Sequence, residues 1–101
     1  MKACISKENL LKAIQVVYPA IPARSTLPIL THVFLETAKE SLRVTGTNLE
    51  MGITTSVPAE VVDEGAIALP AKRLYDLLKE LPNDSLHVSA KKNLQFSICL
   101  E

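Results

Sequence analysis

The chain has 101 residues and a mass of 11.0 kDa, with 48% apolar and 22% charged residues. This is enough apolar content for one domain burying about 60–70% of its unfolded surface, and too much for a disordered chain. Its 11 Lys and Arg cancel its 11 Asp and Glu, which argues against a strongly basic nucleic-acid binder or an acidic tail protein.

Residues 2–6 suit a short strand. Ser6 then stands where a helix over 7–18 needs a cap, and Leu10, Leu11, Ile14 and Val17 recur at helical spacing. Pro19 and Pro22 end that helix, and 19–28 reads as a Pro-punctuated connection. Period-two alternation follows. Ile29, Val33 and Leu35 share one parity in 29–37, as do Leu42 and Val44 in 41–47. Leu49, Met51, Ile53 and Val57 do so in 49–57. One dry and one wet face per strand is the pattern of an antiparallel sheet covered on one side.

Residues 64–69 form another short strand, with Ile67 and Leu69. Pro70 suits the first position of a second helix, whose expected apolar stripe is Leu74, Leu77, Leu78 and Leu81. Pro82-Asn83-Asp84 breaks it. Leu86, Val88 and Ala90 alternate in the next strand, and Leu94, Phe96, Ile98 and Leu100 in the last. In symbols the chain is β-α-β-β-β followed by β-α-β-β, an α+β pattern repeated without sequence identity. The second unit is one strand short unless Phe96-Ser97-Ile98 already serves as its closing strand, and the chain reads as a piece of something longer.

Charge is segregated. Residues 1–28 carry Lys2, Lys7, Lys12 and Arg24 against Glu8, a net +3. Residues 29–66 carry Lys39 and Arg43 against Glu36, Glu40, Glu50, Glu60, Asp63 and Glu64, a net −4. The helix-bearing segments lean basic and the central sheet leans acidic.

Motifs for chemistry are lacking. Gly46, Gly52 and Gly65 are the only glycines and build no phosphate-binding loop. His32, His87, Cys4 and Cys99 have no metal-ligand spacing, so no metal or other cofactor is expected. The two cysteines lie in apolar stretches and are expected as buried thiols in a reducing compartment. Ser25 and Thr26 lack the surroundings of an activated nucleophile, and the carboxylates fall on wet strand faces or turns. An enzyme is not expected. The start of the chain has no signal-peptide core, and no apolar run reaches the ~20 residues of a membrane helix. Lys72 and Arg73 do stand out. Two adjacent cations in the first turn of a helix oppose its dipole, and a function that wants positive charge there would account for them.

Two segments are more specific. Arg24-Ser25-Thr26-Leu27-Pro28-Ile29-Leu30 precedes a strand, and Leu42-Arg43-Val44-Thr45-Gly46-Thr47-Asn48-Leu49-Glu50-Met51 follows. With Asn9-Leu10-Leu11-Lys12 and Leu69-Pro70-Ala71-Lys72-Arg73, they closely resemble the start of the bacterial DNA polymerase III beta subunit family, the replication sliding clamps. The resemblance implies a DNA-clamp fold of two β-α-β-β-β units, with two helices on one face of a curved antiparallel sheet. It implies that residues 1–101 are the first of three domains, the second unit incomplete and the other two domains absent. It implies a non-enzymatic, cytoplasmic processivity factor. That factor is a homodimeric ring around double-stranded DNA, which tethers the polymerase. Polymerase III and the clamp loader would bind through the absent domains. Residue by residue, the resemblance gives Arg24, Lys72 and Arg73 to DNA phosphates. It gives Arg73, Leu77 and Leu81 to the subunit interface. By default a leucine stripe is core, which is the competing reading of Leu77 and Leu81. The alternative for the whole chain is a free-standing α+β interaction module that keeps the fold without encircling DNA.

Overall fold

The computed structural model describes residues 1–21, 31–48, 51–91 and 96–100. Arg24, Ile29, Leu49, Glu50 and Leu94 lie outside these. The order is β1 (Lys2–Ser6), α1 (Lys7–Val17), a 3-10 turn (Tyr18–Ala20), β2 (His32–Ala38), β3 (Ser41–Thr47), β4 (Gly52–Pro58), β5 (Glu60–Asp63), β6 (Ala66–Pro70), α2 (Ala71–Glu80), β7 (Ser85–Ala90) and β8 (Phe96–Leu100).

The local chemistry explains most of these bounds. Ser6 is extended, and its Oγ accepts the Asn9 amide hydrogen bond at 3.1 Å, capping α1. Glu8 in the first turn suits the positive end of the helix dipole, and Pro19 closes the helix into the 3-10 turn. The β2–β3 hairpin turns on Lys39-Glu40, with Glu40 at a φ of 53°. The Glu40 carbonyl accepts the Ala59 amide at 3.1 Å, where β4 gives way to β5. Pro58 cannot donate to a ladder and is tolerated because β4 is an edge strand.

All strand pairs are antiparallel. They form two four-stranded sheets, β5-β1-β7-β8 and β4-β3-β2-β6. The first strand of each half therefore joins the sheet of the other half. The expected units hold, with one addition. β5 was not foreseen; it carries the chain out of one sheet and into the other.

α1 packs on β3, β4 and α2, and Leu10, Ala13, Ile14 and Val17 are its buried residues. They meet Val33, Leu35, Leu42 and Val44 from one sheet and Ala3, Ile5, Leu86 and Val88 from the other in a single core. Burying each large aliphatic side chain is worth about 1.5–3 kcal/mol. From α2 the core takes Ala71, Leu74 and Leu78. Leu77 departs from the expected stripe: it is 46% exposed. Leu81 lies just past the helix and is partly buried against the core. Met51, expected on a dry face, is exposed. The cysteines depart too, Cys4 being half-buried and Cys99 exposed. The reason is parity. Cys4 lies between the buried Ala3 and Ile5 and so points to the opposite face, and Cys99 pairs with exposed His87.

One polar detail ties the halves together. Buried Thr37 on β2 donates through Oγ1 to the Gly65 carbonyl at 3.1 Å and accepts the Gly65 amide at 2.8 Å. Gly46 on β3 lies so close to the end of α1 that a Cβ there would stand 2.9 Å from the Val17 carbonyl oxygen.

Candidate nucleic-acid interface

α2 begins without help from its side chains. Pro70 occupies the cap position with no capping hydrogen bond, and the first turn holds no acid. Instead it presents Lys72 and Arg73, both exposed. Their spacing sends them to different places. Lys72, Asp76 and Lys79 follow at i, i+4 and i+7 along one side. Arg73 and Leu77, at i and i+4, lie along another.

On the first side, Lys72 Nζ donates to Asp76 Oδ2 at 2.9 Å, and Lys79 Nζ stands 3.6 Å from Asp76 Oδ1. Lys79 also sits 4.6 Å from the centre of the Tyr75 ring, a cation–π distance. Tyr75 in turn meets Tyr18, just past α1, edge to face with centroids 4.7 Å apart. The ring pair thus joins the turn after α1 to α2, and the ammonium and carboxylate groups extend from it along α2. The hydrogen bond to Asp76, then its charge, raises the Lys72 pKa above 10.5. The hydrogen bond from Lys72 chiefly holds the Asp76 carboxyl below 3.8.

On the second side, Arg73 lines an apolar groove of about 230 Å³ with Leu69, Leu74, Leu77, Phe96 and Ile98. The groove runs between α2 and β8. Leu77 is on its wall; Leu81 is not. Of the residues read from the sequence, the fold therefore brings Arg73 and Leu77 together and separates Lys72 from them, while Arg24 lies outside the described residues.

Sequence reasoning passed over Asp76, Lys79, Tyr18 and Tyr75. The Lys-x-x-x-Asp-x-x-Lys spacing was there to be read as one helix side. The aromatic pair spans 57 positions of sequence and had no local signal.

Across the two helices, Lys7, Lys12, Lys72, Arg73 and Lys79 stand against Glu8, Asp76 and Glu80. The described strands and connections outside the helices carry Glu36, Glu40, Glu60, Asp63, Glu64 and Asp84 against Lys2, Lys39, Arg43 and Lys91. Among the described residues no group of three or more His, Cys, Asp or Glu side chains could hold a metal ion.

The sequence model described as the DNA polymerase III beta subunit, N-terminal domain, matches residues 1–99. The chain belongs to that family. A beta sliding clamp of Pseudomonas putida is 41% identical over 87 residues, covering 85% of this chain and 24% of the relative. One from Chlamydia pneumoniae is 34% identical over 90 residues, covering 89% and 25%. The solved sliding clamp of Caulobacter crescentus superposes with a TM-score of 0.94 at 29% identity, over 100% of this chain and 28% of that one. The beta subunit of Pseudomonas aeruginosa gives 0.91 at 32% identity, over 99% and 27%. The chain thus spans about a quarter of the length of these beta subunit relatives. The α+β clamp fold read from the sequence is the fold these relatives share.

Proposed function

We propose that this chain is the first domain of a replication sliding clamp, a non-enzymatic protein that holds the replicative polymerase on duplex DNA. Family membership together with the basic helical side carries this reading. Lys72 and Arg73, with Arg24 outside the described residues, attract phosphates without reading bases. Arg73 and Leu77 serve a subunit interface at the groove beside β8, with Leu81 as a support from the core side. A ring closed by such interfaces makes escape from DNA require an opening step, which turns weak contacts into processivity. The ring is a homodimer whose further domains take the polymerase and the loader, and it works in the cytoplasm. No helix among the described residues is long and apolar enough to cross a membrane.

The test is the salt dependence of duplex binding by the 101-residue chain, followed by fluorescence anisotropy. About three phosphate contacts give a log–log slope near −3. Lys72→Gln should make that slope shallower by about 0.9 and weaken binding equally on unrelated duplex sequences. A slope untouched by Lys72→Gln, or no binding at low salt, would remove Lys72 from the DNA-facing set.

A further inference from the structure

We propose that Asp76 is a brake on DNA contact: its carboxylate occupies the ammonium groups of Lys72 and Lys79, which weakens their grip on phosphates. The proposal rests on the DNA-facing reading of α2 given above.

The geometry is that of a shared counter-charge. One carboxylate oxygen takes Lys72 at 2.9 Å and the other faces Lys79 at 3.6 Å. A phosphate approaching this side must displace Asp76 from the lysines and meets its negative charge as well.

Helix stability accounts for the Asp76–Lys79 half of the arrangement, where the acid precedes the base by three residues, but not for the Lys72 half. An acid preceding a base by four residues is the order that supports a helix, because each charge then lies toward the favourable end of the dipole. α1 has that order in Glu8 and Lys12, 3.4 Å apart. α2 has the reverse. Lys72 is in the first turn, where a cation is disfavoured, and its acid follows it. Lys79 already has a second partner in the Tyr75 ring. Lys72, whose side chain is 78% exposed, donates its hydrogen bond to Asp76. Freeing the pair therefore acts mainly on Lys72.

The function gains from such a brake. A clamp must stay near the backbone yet slide along it, and each phosphate held firmly by a lysine is a point of friction. A carboxylate that competes for the same ammonium keeps each contact shallow and quickly exchanged.

Asp76→Asn keeps the side-chain shape and removes the charge. Measured by anisotropy on a labelled 20-base-pair duplex, the variant should bind several-fold tighter at 50 mM salt. Its log–log slope should be steeper by up to about 0.9, one phosphate contact, so that the gain fades toward 200 mM. Most of the gain should vanish in a Lys72→Gln background, since the two changes act through one contact. Glu36→Gln is the matched control. It removes the same charge from a similar exposed pair, Glu36 with Arg43 at 3.0 Å, on a strand rather than a helix. It should leave affinity and slope unchanged.

If the unaltered chain binds and Asp76→Asn binds no tighter, or gains no more than Glu36→Gln, the brake is wrong and the DNA-facing reading stands. If neither the unaltered chain nor Asp76→Asn binds at low salt, both fall.

Discussion

Gly46 offers the sharpest test of the packing. It is buried on β3, inside the Thr45-Gly46-Thr47 stretch that carries the family resemblance. Its φ is not positive, so backbone freedom is not what the position needs. Space is. A Cβ there would stand 2.8 Å from Ile21 Cγ1, 3.0 Å from Ile21 Cδ1 and 2.9 Å from the Val17 carbonyl oxygen. The isoleucine tip can turn aside, but the carbonyl belongs to the end of α1 and moves only with the helix. Overpacking of this kind costs about 1–3 kcal/mol. Restricting the unfolded chain returns about 0.4–1 kcal/mol. Gly46→Ala should thus lose about 1–2 kcal/mol, which is roughly 4–16 °C in Tm for a domain of this size. Urea unfolding followed by far-UV circular dichroism measures it. In an Ile21→Ala background the loss should shrink without vanishing, because the Val17 oxygen remains. Gly52→Ala is the comparison, as its Cβ would meet the Thr47 methyl at 3.3 Å and the Gly46 carbonyl oxygen at an ordinary 3.9 Å. A Gly46→Ala chain as stable as the original, or one no worse than Gly52→Ala, would refute the steric account.

Thr37→Val removes the hydroxyl that serves the Gly65 amide and carbonyl while keeping the volume. It should lower stability by about 1–3 kcal/mol with an unchanged urea m-value, and Thr37→Ser should retain most of the polar part. A Thr37→Val chain within 0.5 kcal/mol of the original, on the same order-of-magnitude scale, would contradict that role. The Lys72–Asp76 pair makes a pH prediction. Asp76 is held below 3.8, so its contribution is present above that value and is lost as pH falls through the lowered folded pKa. Lys72 is raised above 10.5, so its contribution is present below that value and is lost as pH rises through the raised one. An NMR titration of the Asp76 carboxyl carbon should give a midpoint below 3.8 that moves upward in Lys72→Gln. A midpoint at or above 3.8 in the unaltered chain would show the pair to be unformed in solution.

Much of the fold was legible because its signals are local. Ser6 capping α1, the alternation of Leu42 and Val44, and Pro70 before α2 each act over a few residues. β5 was not legible, because Glu60-Val61-Val62-Asp63 is four residues long and does not alternate, and Pro58-Ala59 ahead of it reads as a turn. The leucine stripe of α2 claimed Leu77 for the core. Four leucines mark a broad face, and only tertiary packing decides that Ala71, Leu74 and Leu78 are covered while Leu77 walls the groove. The exposure of Cys4 could have been read from the parity of Ala3 and Ile5; local apolar character was the weaker guide. At the candidate interface Lys72, Arg73 and Leu77 carried a signal through the resemblance. Their division between two sides of one helix needed the angular spacing, and the tie to Tyr18 needed the fold.

The exchange of first strands between the halves has a consequence for how the chain can be made and cut. β1 finds no sheet partner until residues 60–63 exist, and its longer pairing with β7 waits for residues 85–90. β6, although it opens the second half, is an edge of the first half's sheet. A break introduced near Glu64 would leave the first fragment with β1 and β5, whose sheet β7 and β8 complete, and the second with β6, an edge of the first fragment's sheet. Neither piece contains a finished sheet of its own, so each has reason to stay unfolded alone and to be rescued by its counterpart. On a ribosome the earliest strand must likewise be kept from wrong partners until almost the whole domain has emerged.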